Sequence, residues 1–361
     1  MQIVYERTCA EESWLKLKIR SLTTNVLISL ISIFFCTVVL IFVLEARHYI
    51  KNKQYLNQTW HDPNTQFDSE LGWSPVPNTR VYFPEWGTLS SNSHGFRSPE
   101  IDQNKKQIIV LGDSVAWGFG VSDTETFPYL LNEIVANMNY QVSNLAVSGY
   151  DLGQYYLFLK RHINKFNNLK QVVLVICTQN DLICTGKNFD SGKRKPLFIA
   201  RSGELILTSS KINKYCLRNL FSRSYFFGNC LPNVGIVGKF LSWISGDRIL
   251  SGSEELKEVS TRLLQKIYEL VLSHNAELLV ILSPSRDDFK SKSASLNAFE
   301  YIFNNSKSYG LDYIDYFEIL KKVDKEELHT LYLDDGHYTN KGDLLLAKTV
   351  YKHLQKEATL N

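Results

Sequence analysis

The sequence lacks the patterns that mark several common functional classes. Its 361 residues carry a net charge of only +3 and contain no basic cluster, which argues against a nucleic-acid-binding protein. No internal repeat and no low-complexity tract is present, so a repeat architecture is not expected. A Walker A loop, a G-x-G-x-x-G turn and an H-E-x-x-H helix are also missing. We therefore expect neither a metal ion nor an organic cofactor.

Cysteine is scarce, with six residues scattered along the chain. This is too few for a disulfide-dense scaffold, and no pair has C-x-x-C or zinc-finger spacing. Cys216 and Cys230 are the candidates for a disulfide in an oxidising compartment, and two buried free thiols are the equal alternative.

Charge is absent from one long stretch near the N-terminus. Residues 21–44, SLTTNVLISLISIFFCTVVLIFVL, contain no charged side chain. In a helix, about 20 apolar residues are enough to cross the roughly 30 Å hydrocarbon core of a membrane. The sequence that follows, Leu44-Glu45-Ala46-Arg47, is a poor signal-peptidase site. We therefore predict an uncleaved single-pass anchor over residues 21–44.

The charges that flank this anchor bear on its orientation. Basic residues precede the span at Arg7, Lys16, Lys18 and Arg20, and follow it at Arg47, Lys51 and Lys53. The positive-inside rule then favours, by a small margin, a cytoplasmic segment 1–20. Residues 45–65 are polar and predict a linker. Residues 66–361 form the main domain, which we expect outside the cytoplasm, in the periplasm or at the cell surface.

Beyond residue 106, five apolar runs of strand length alternate with helical patterns. The runs are Gln107–Gly112, Gln141–Val147, Gln171–Cys177, Glu277–Ser283 and Leu311–Tyr316. This alternation predicts an α/β fold with a parallel sheet covered by helices on both faces. Residues 185–250 interrupt the pattern with a hairpin around Arg201–Glu204 and an aromatic-rich stretch. The insertion is a candidate lid or substrate wall, and an extra packing layer is the equal alternative.

Three polar turns follow the first three predicted strands. Ser114 ends the sequence Gly-Asp-Ser after the first strand, Gly149 follows the second, and Asn180 follows the third. The carboxyl ends of parallel strands meet at one edge of a sheet, where ligand sites form. Each residue alone is more simply explained as a turn or a helix cap. Together they predict one site.

A serine nucleophile needs a base, because its hydroxyl is a weak nucleophile at neutral pH. Among eight histidines, His337 stands out in the loop YLDDGHYTNKG before the last helix. Asp334, three residues earlier, is the predicted carboxylate that orients the imidazole, and Asp335 is its competitor. The N–H groups of Ser114 and Gly149 and the side-chain amide of Asn180 are the candidate donors to an oxyanion.

These blocks resemble the SGNH hydrolase superfamily, also called GDSL-type esterases and acylhydrolases. The four matching blocks are Gly112–Ser114, NLAVSGY with Gly149, TQND with Asn180, and DDGH with Asp334 and His337. The resemblance spans roughly residues 69–357, and NSHGFRSPE at 92–100 also resembles the segment before the first block. It implies a three-layer α/β/α sandwich with a five-stranded parallel sheet, of the SGNH or flavodoxin-like kind. Val115 departs from the usual Leu, and Thr178 from the usual Gly, which affects packing and pocket shape.

Three functions are consistent with these features. The first is a membrane-anchored serine esterase that cleaves an acyl ester of an O-acylated glycan or a lipid through an acyl-enzyme. The second is an O-acyltransferase that uses the same triad with a sugar hydroxyl as acceptor. The third is a non-catalytic binding or assembly module on a membrane stalk. The expected partners are the ester-bearing substrate and the membrane, and not a nucleic acid.

Overall fold

The structure is a computed structural model that describes residues 20, 22–44, 47, 64–190, 193–208, 248–250, 252–306 and 310–356. These residues fall into two compact units, one with the N-terminal helix and the other with residue 64 onward. Helix α1, Leu22–Leu44, is long and apolar enough to cross a membrane, as a signal sequence also is. The predicted segment 1–20 and linker 45–65 lie almost wholly outside the described residues.

Two short antiparallel hairpins open the second unit. They are β1 (Thr65–Asp68) with β2 (Gly72–Pro75), and β3 (Arg80–Phe83) with β4 (Gly87–Ser90). The Pro-, Gly- and Asn-rich composition of this region predicts loops with short extended pieces, and each extended piece is a four-residue strand. The hairpins lie before the first strand of the central sheet.

The central sheet has five parallel strands, as predicted. They are β5 (Lys106–Leu111), β6 (Tyr140–Asn144), β7 (Leu169–Cys177), β12 (Glu277–Ser283) and β13 (Asp312–Asp315). Their order across the sheet is β13-β12-β7-β5-β6. The first strand of this sheet in sequence order, β5, lies between β6 and β7. The turns that follow these three strands are therefore neighbours at the carboxyl edge of the sheet.

Helices cover both faces of this sheet. Before the insertion they are α2 (Ser114–Trp117), α3 (Phe127–Val135), α4 (Leu152–His162) and α5 (Asp181–Thr185). After it they are α6 (Ser253–Leu272), α7 (Ala294–Ser306), α8 (Tyr316–Leu320), α9 (Lys325–Thr330) and α10 (Asn340–Lys356).

Strand residues alternate between two hydrophobic clusters. In β7, Val172 and Leu174 contribute to the cluster with α4, α6 and α7, whereas Val173 and Val175 contribute to the cluster with α3, α8 and α10. All four side chains are fully buried. The uninterrupted apolar run of β7 therefore reflects burial on both faces, and the three-layer α/β/α prediction is confirmed.

The described part of the insertion contains two small antiparallel pairs. One joins β8 (Phe189–Asp190) to β9 (Lys193–Arg194), and the other joins β10 (Phe198–Arg201) to β11 (Glu204–Leu207). The second pair is the hairpin that the sequence predicts. It packs against α6 and belongs to the same hydrophobic cluster as that helix. Residues 209–247, with Cys216, Cys230 and most of the aromatic-rich stretch, lie outside the described residues.

Candidate active site

Ser114 lies where β5 gives way to a helix. The strand ends at Leu111, and Ser114 is the first residue of α2. Asp113 caps this short helix, because its Oδ1 accepts a hydrogen bond of 2.9 Å from the Val115 N–H. The Ser114 side chain is thereby held at the carboxyl edge of the sheet, half-buried and open to a reactant.

Gly112 allows the close approach that this turn requires. A Cβ atom at this position would lie 2.7 Å from Cβ of Ala116 and 2.8 Å from the carbonyl oxygen of Val175. Both contacts are too short for any side chain, so only glycine fits between α2 and β7. The first glycine of the Gly-Asp-Ser block is therefore explained by packing.

His337 reaches Ser114 from a loop 223 residues later in the chain. The distance from Nε2 of His337 to Oγ of Ser114 is 2.8 Å. The His337 loop is a tight turn in which the Leu333 N–H donates to the His337 carbonyl at 2.7 Å, with Gly336 at φ +93°. The hydroxyl of the next residue, Tyr338, lies 2.8 Å from Oγ of Ser283 at the end of β12. The loop is thus fixed to the same edge of the sheet as Ser114.

The carboxylate beside the imidazole is that of Asp335, not that of the predicted Asp334. Oδ1 of Asp335 lies 3.1 Å from Nδ1 of His337 and also accepts the backbone N–H of His337 at 3.1 Å. The carboxylate is within ion-pair distance of Nδ1, but it is not aligned for a hydrogen bond with the ring. Nδ1 has no hydrogen-bond partner among the described residues. The backbone carbonyl oxygen of Asp334 instead lies 3.5 Å from the Arg286 guanidinium.

The electrostatics of Asp335 fit this placement. Burial raises the pKa of its carboxyl group, but the hydrogen bond from the His337 backbone N–H and the nearby imidazole ring outweigh this effect and lower the pKa overall. Asp335 is thus an anion at neutral pH, next to the ring that would become positively charged. Both acids lie within three residues of the histidine. The backbone geometry of the turn determines that the Asp335 side chain is the one beside the ring.

Asn180 joins the site through Asp113. Its Nδ2 donates to Oδ2 of Asp113 at 3.2 Å, and Oγ of Ser114 lies 3.4 Å from the same oxygen. Burial raises the pKa of Asp113, although the Val115 N–H, the Asn180 amide and His337 act against it. Asp113 therefore links the Asn180 amide to the Ser114 hydroxyl, and the role of Asn180 as an oxyanion donor stays a prediction.

Gly149 lies in the loop after β6, the third of the neighbouring turns. This loop is attached to the first block, because the Val147 N–H donates to the Gly112 carbonyl at 3.0 Å. A Cβ atom at Gly149 would lie 3.4 Å from the Trp73 ring and 3.5 Å from Oδ2 of Asp190. No recorded contact in the described part of the chain joins Gly149 to Ser114 or Asn180, so its donor role stays a prediction.

Thr178, which stands where the family that the sequence resembles has glycine, has a structural role. Its side chain is fully buried, and its hydroxyl donates to Oδ2 of Asp288 at 2.6 Å. Asp288 also accepts the N–H and the hydroxyl of Ser285, at 2.8 and 2.9 Å. The hydroxyl therefore ties the loop after β7 to the loop after β12.

The sequence analysis missed Phe119, which packs directly on the His337 ring. The ring centroids of Phe119 and His337 are 4.5 Å apart, with the ring planes at 34°. Phe119 follows the Gly-Asp-Ser block by only five residues, and that proximity was the available signal. A lone aromatic residue in a glycine-containing turn gives no indication of the ring that it contacts.

Comparisons with known proteins give distant likenesses. No family model matches the chain, and no curated protein matches it. The chain is similar to the solved structure of TesA, at 13% identity and a TM-score of 0.41 over 70% of this chain and 99% of that one. It is also similar to a lipolytic protein of the G-D-S-L family from Veillonella parvula, at 11% identity and a TM-score of 0.40 over 68% and 97% of the two chains. A lipase/acylhydrolase from Enterococcus faecalis matches at 13% identity and a TM-score of 0.40, over 70% and 96%.

The G-D-S-L protein among these structures bears the name of the family that the four sequence blocks resemble. At such low similarity these likenesses say nothing about this chain's reaction. The contacts among its own residues have to carry any functional conclusion.

Proposed function

We propose that this chain is a membrane-anchored serine esterase of the SGNH type. The observation that carries the proposal is the 2.8 Å distance between Oγ of Ser114 and Nε2 of His337. A hydroxyl and an imidazole at hydrogen-bond distance, on loops 223 residues apart, match the nucleophile and base of a serine hydrolase. A simple turn at Ser114 would not need this partner.

The reaction follows from the roles of these groups. Oγ of Ser114 attacks the ester carbonyl carbon while Nε2 of His337 takes the hydroxyl proton. The resulting imidazolium is stabilised by the carboxylate of Asp335. The negative charge on the former carbonyl oxygen is stabilised by the N–H groups of Ser114 and Gly149 and by the amide of Asn180. His337 then gives the proton to the leaving alcohol, and an acyl-enzyme remains.

Water completes the cycle by attacking the acyl-enzyme, with His337 as the base. The chemistry needs neither a metal nor an organic cofactor. Among the described residues no group of acids, cysteines and histidines is arranged to hold a metal ion. The proposed steps use the side chains of Ser114, His337 and Asp335 together with the oxyanion donors.

The substrate that we propose is an O-acylated glycan or a lipid ester. Helix α1, a candidate membrane span by length and composition, supports anchoring beside such a substrate. The small excess of basic residues before the span supports a catalytic domain outside the cytoplasm, in the periplasm or at the cell surface.

Ester hydrolysis by the full chain in detergent tests the proposal. We expect the protein to hydrolyse short-chain p-nitrophenyl esters and to be labelled by a fluorophosphonate probe. Ser114→Ala removes the nucleophile and should lower kcat by about 10³ or more, since a triad member usually contributes this much. Ser273→Ala, at an exposed serine after α6, is the matched control and should leave kcat unchanged.

Three results would point elsewhere. Equal activity in Ser114→Ala would remove Ser114 from the mechanism. A folded wild-type protein that is neither labelled nor active would favour the non-catalytic module. Acylated sugar rather than free acid, formed in the presence of a glycan acceptor, would identify an O-acyltransferase that shares the same acyl-enzyme.

A further inference from the structure

A row of aromatic rings runs from the β3–β4 hairpin to the imidazole of His337. The Phe83 and Trp86 rings stack at 4.7 Å and 13°, and the Trp86 and Phe119 rings are 4.5 Å apart at 51°. The last pair, Phe119 and His337, is 4.5 Å apart at 34°. We call Phe83, Trp86 and Phe119 the aromatic row.

Phe119, the end of the row next to His337, is fixed to α2, the helix that begins at Ser114. The Phe119 N–H donates to the carbonyl of Ser114 at 3.0 Å. The Arg97 guanidinium, almost fully buried, donates to the carbonyls of Gly118 and Val121 at 2.7 and 2.8 Å, on either side of Phe119. Charge-assisted bonds of this kind are among the stronger hydrogen bonds in proteins. The Phe119 backbone therefore has little freedom to move away from the site.

The His337 loop packs against the same segment. A Cβ atom at Gly120 would lie 2.4 Å from Cδ1 of Leu333, so the absence of a side chain at this position admits the His337 loop. The His337 loop thus packs against the segment after α2 at two points. Its imidazole contacts the Phe119 ring, and its Leu333 side chain fills the space beside Gly120. These contacts are independent of the hydrogen bond between Ser114 and His337.

His337 needs such support because its other side is poorly held. In a typical triad the carboxylate fixes the ring through a direct bond to Nδ1. Here Asp335 lies at 3.1 Å but out of line, and Nδ1 has no hydrogen-bond partner among the described residues. The Phe119 face is the other close contact recorded for the imidazole ring itself.

We infer that Phe119, supported by Trp86, is a positioning residue for the His337 imidazole, an inference that rests on the proposed function. The ring holds the imidazole in the plane in which Nε2 meets Oγ of Ser114. The three rings are half-buried and contact one another, which favours positioning over a platform for substrate. The β3–β4 hairpin is then part of the active site, although it lies before the Gly-Asp-Ser block in the sequence.

The experiment measures kcat and KM of the full-length protein in detergent with a p-nitrophenyl ester. Phe119→Leu keeps an apolar side chain of similar volume but loses the flat face. We expect kcat to fall about tenfold with KM within about twofold, because misplacing a catalytic group slows chemistry more than binding. Phe119→Tyr, which keeps the face, should retain wild-type kcat. Trp86→Leu should also lower kcat relative to the wild type. Trp86→Phe, which keeps an aromatic ring, should retain the wild-type kcat.

The matched control is Tyr82→Ala, on the same hairpin but 70% exposed and outside the row. Its kcat should equal that of the wild type. A wild-type kcat in both Phe119→Leu and Trp86→Leu, or a rise in KM with kcat unchanged, would overturn the positioning role. If Phe119→Leu fails to fold, Trp86→Leu and Trp86→Phe decide alone. An inactive wild type would instead reject the proposed function, and the positioning role with it.

Discussion

At the scale of single residues, one tight turn places two acids, Asp334 and Asp335, close to the His337 ring, and the carboxylate of Asp335 lies 3.1 Å from Nδ1. Ser114 and His337 were recognisable because each lies in a short motif whose chemistry is specific. Asp334 and Asp335 are adjacent acids in one tight turn, and spacing alone does not decide which side chain faces the ring. The backbone of the turn, with Gly336 at φ +93°, makes that choice in three dimensions.

The pair Asp334→Asn and Asp335→Asn tests this choice. Asp335→Asn removes the anion nearest to Nδ1 and should lower kcat by about 10², which is less than the roughly 10⁴ lost with a directly bonded triad carboxylate, because Asp335 makes no direct hydrogen bond to Nδ1. Asp334→Asn should leave kcat within about threefold. Steady-state kinetics of both variants, with thermal unfolding as the check on folding, gives the comparison. The opposite order of effects would return the role to Asp334, as the sequence spacing predicts.

At the scale of elements, the five central strands and the β10–β11 hairpin were predictable, and the two N-terminal hairpins were not. The strands are long apolar runs whose burial on both faces leaves a simple signal, as in β7. The hairpins β1–β2 and β3–β4 have strands of four residues, and their positions depend on contacts with distant parts of the chain. The aromatic row was missed for the same reason, because its rings come from two separate segments, the β3–β4 hairpin and the turn after α2.

One such distant contact joins the end of β1 to α4. The Arg161 guanidinium on α4 contacts Asp68 at 2.5 and 3.1 Å and Glu70 at 2.7 Å. Burial alone would raise the pKa of Asp68, but the bonds from Arg161 and from the N–H groups of Leu71 and Glu70 lower it from 3.8 to about 2. The ion pair therefore couples the first hairpin to the α/β layers through an ionised carboxylate.

This pair predicts a specific loss of stability in acid. A depressed carboxyl pKa stabilises the folded state above the unfolded value of 3.8, and this stabilisation disappears as the pH falls from about 4 to about 2. We expect Asp68→Asn to lower the free energy of unfolding at pH 7 by about 1–2 kcal/mol, after allowance for solvent screening of the partly exposed pair. Urea unfolding of the wild type and of Asp68→Asn at pH 7 and at pH 3 measures this difference in the free energy of unfolding. Lys266→Gln, at an exposed pair on α6, is the control, with an expected change below about 0.5 kcal/mol. An equal difference between wild type and Asp68→Asn at both pH values would contradict the linkage.

At the scale of the whole molecule, the site combines parts that are far apart in sequence. Residues from the N-terminal hairpin, from the turns after β5 and β7, and from the loop before α10 meet at one edge of the sheet. Fold class and the identity of the four blocks could be predicted, because both depend on local pattern. The aromatic row and the Arg97 contacts could not, since they depend on how these parts pack together.

The basic residues on either side of the apolar span predict the orientation of the chain in a membrane. Four basic residues precede the apolar span and three follow it, so the margin for a cytoplasmic N-terminus is a single charge. In a bacterial host, alkaline phosphatase fused after Asn361 should be active, because that enzyme matures only outside the cytoplasm. Replacing Lys16, Lys18 and Arg20 with glutamine reverses the charge difference and should reduce phosphatase activity sharply at an unchanged protein level. Replacing Lys105, Lys106 and Lys170 instead, far from the span, controls for net charge. A fusion that is inactive in the wild-type background but fluorescent with a cytoplasmic reporter would place the catalytic domain inside the cell.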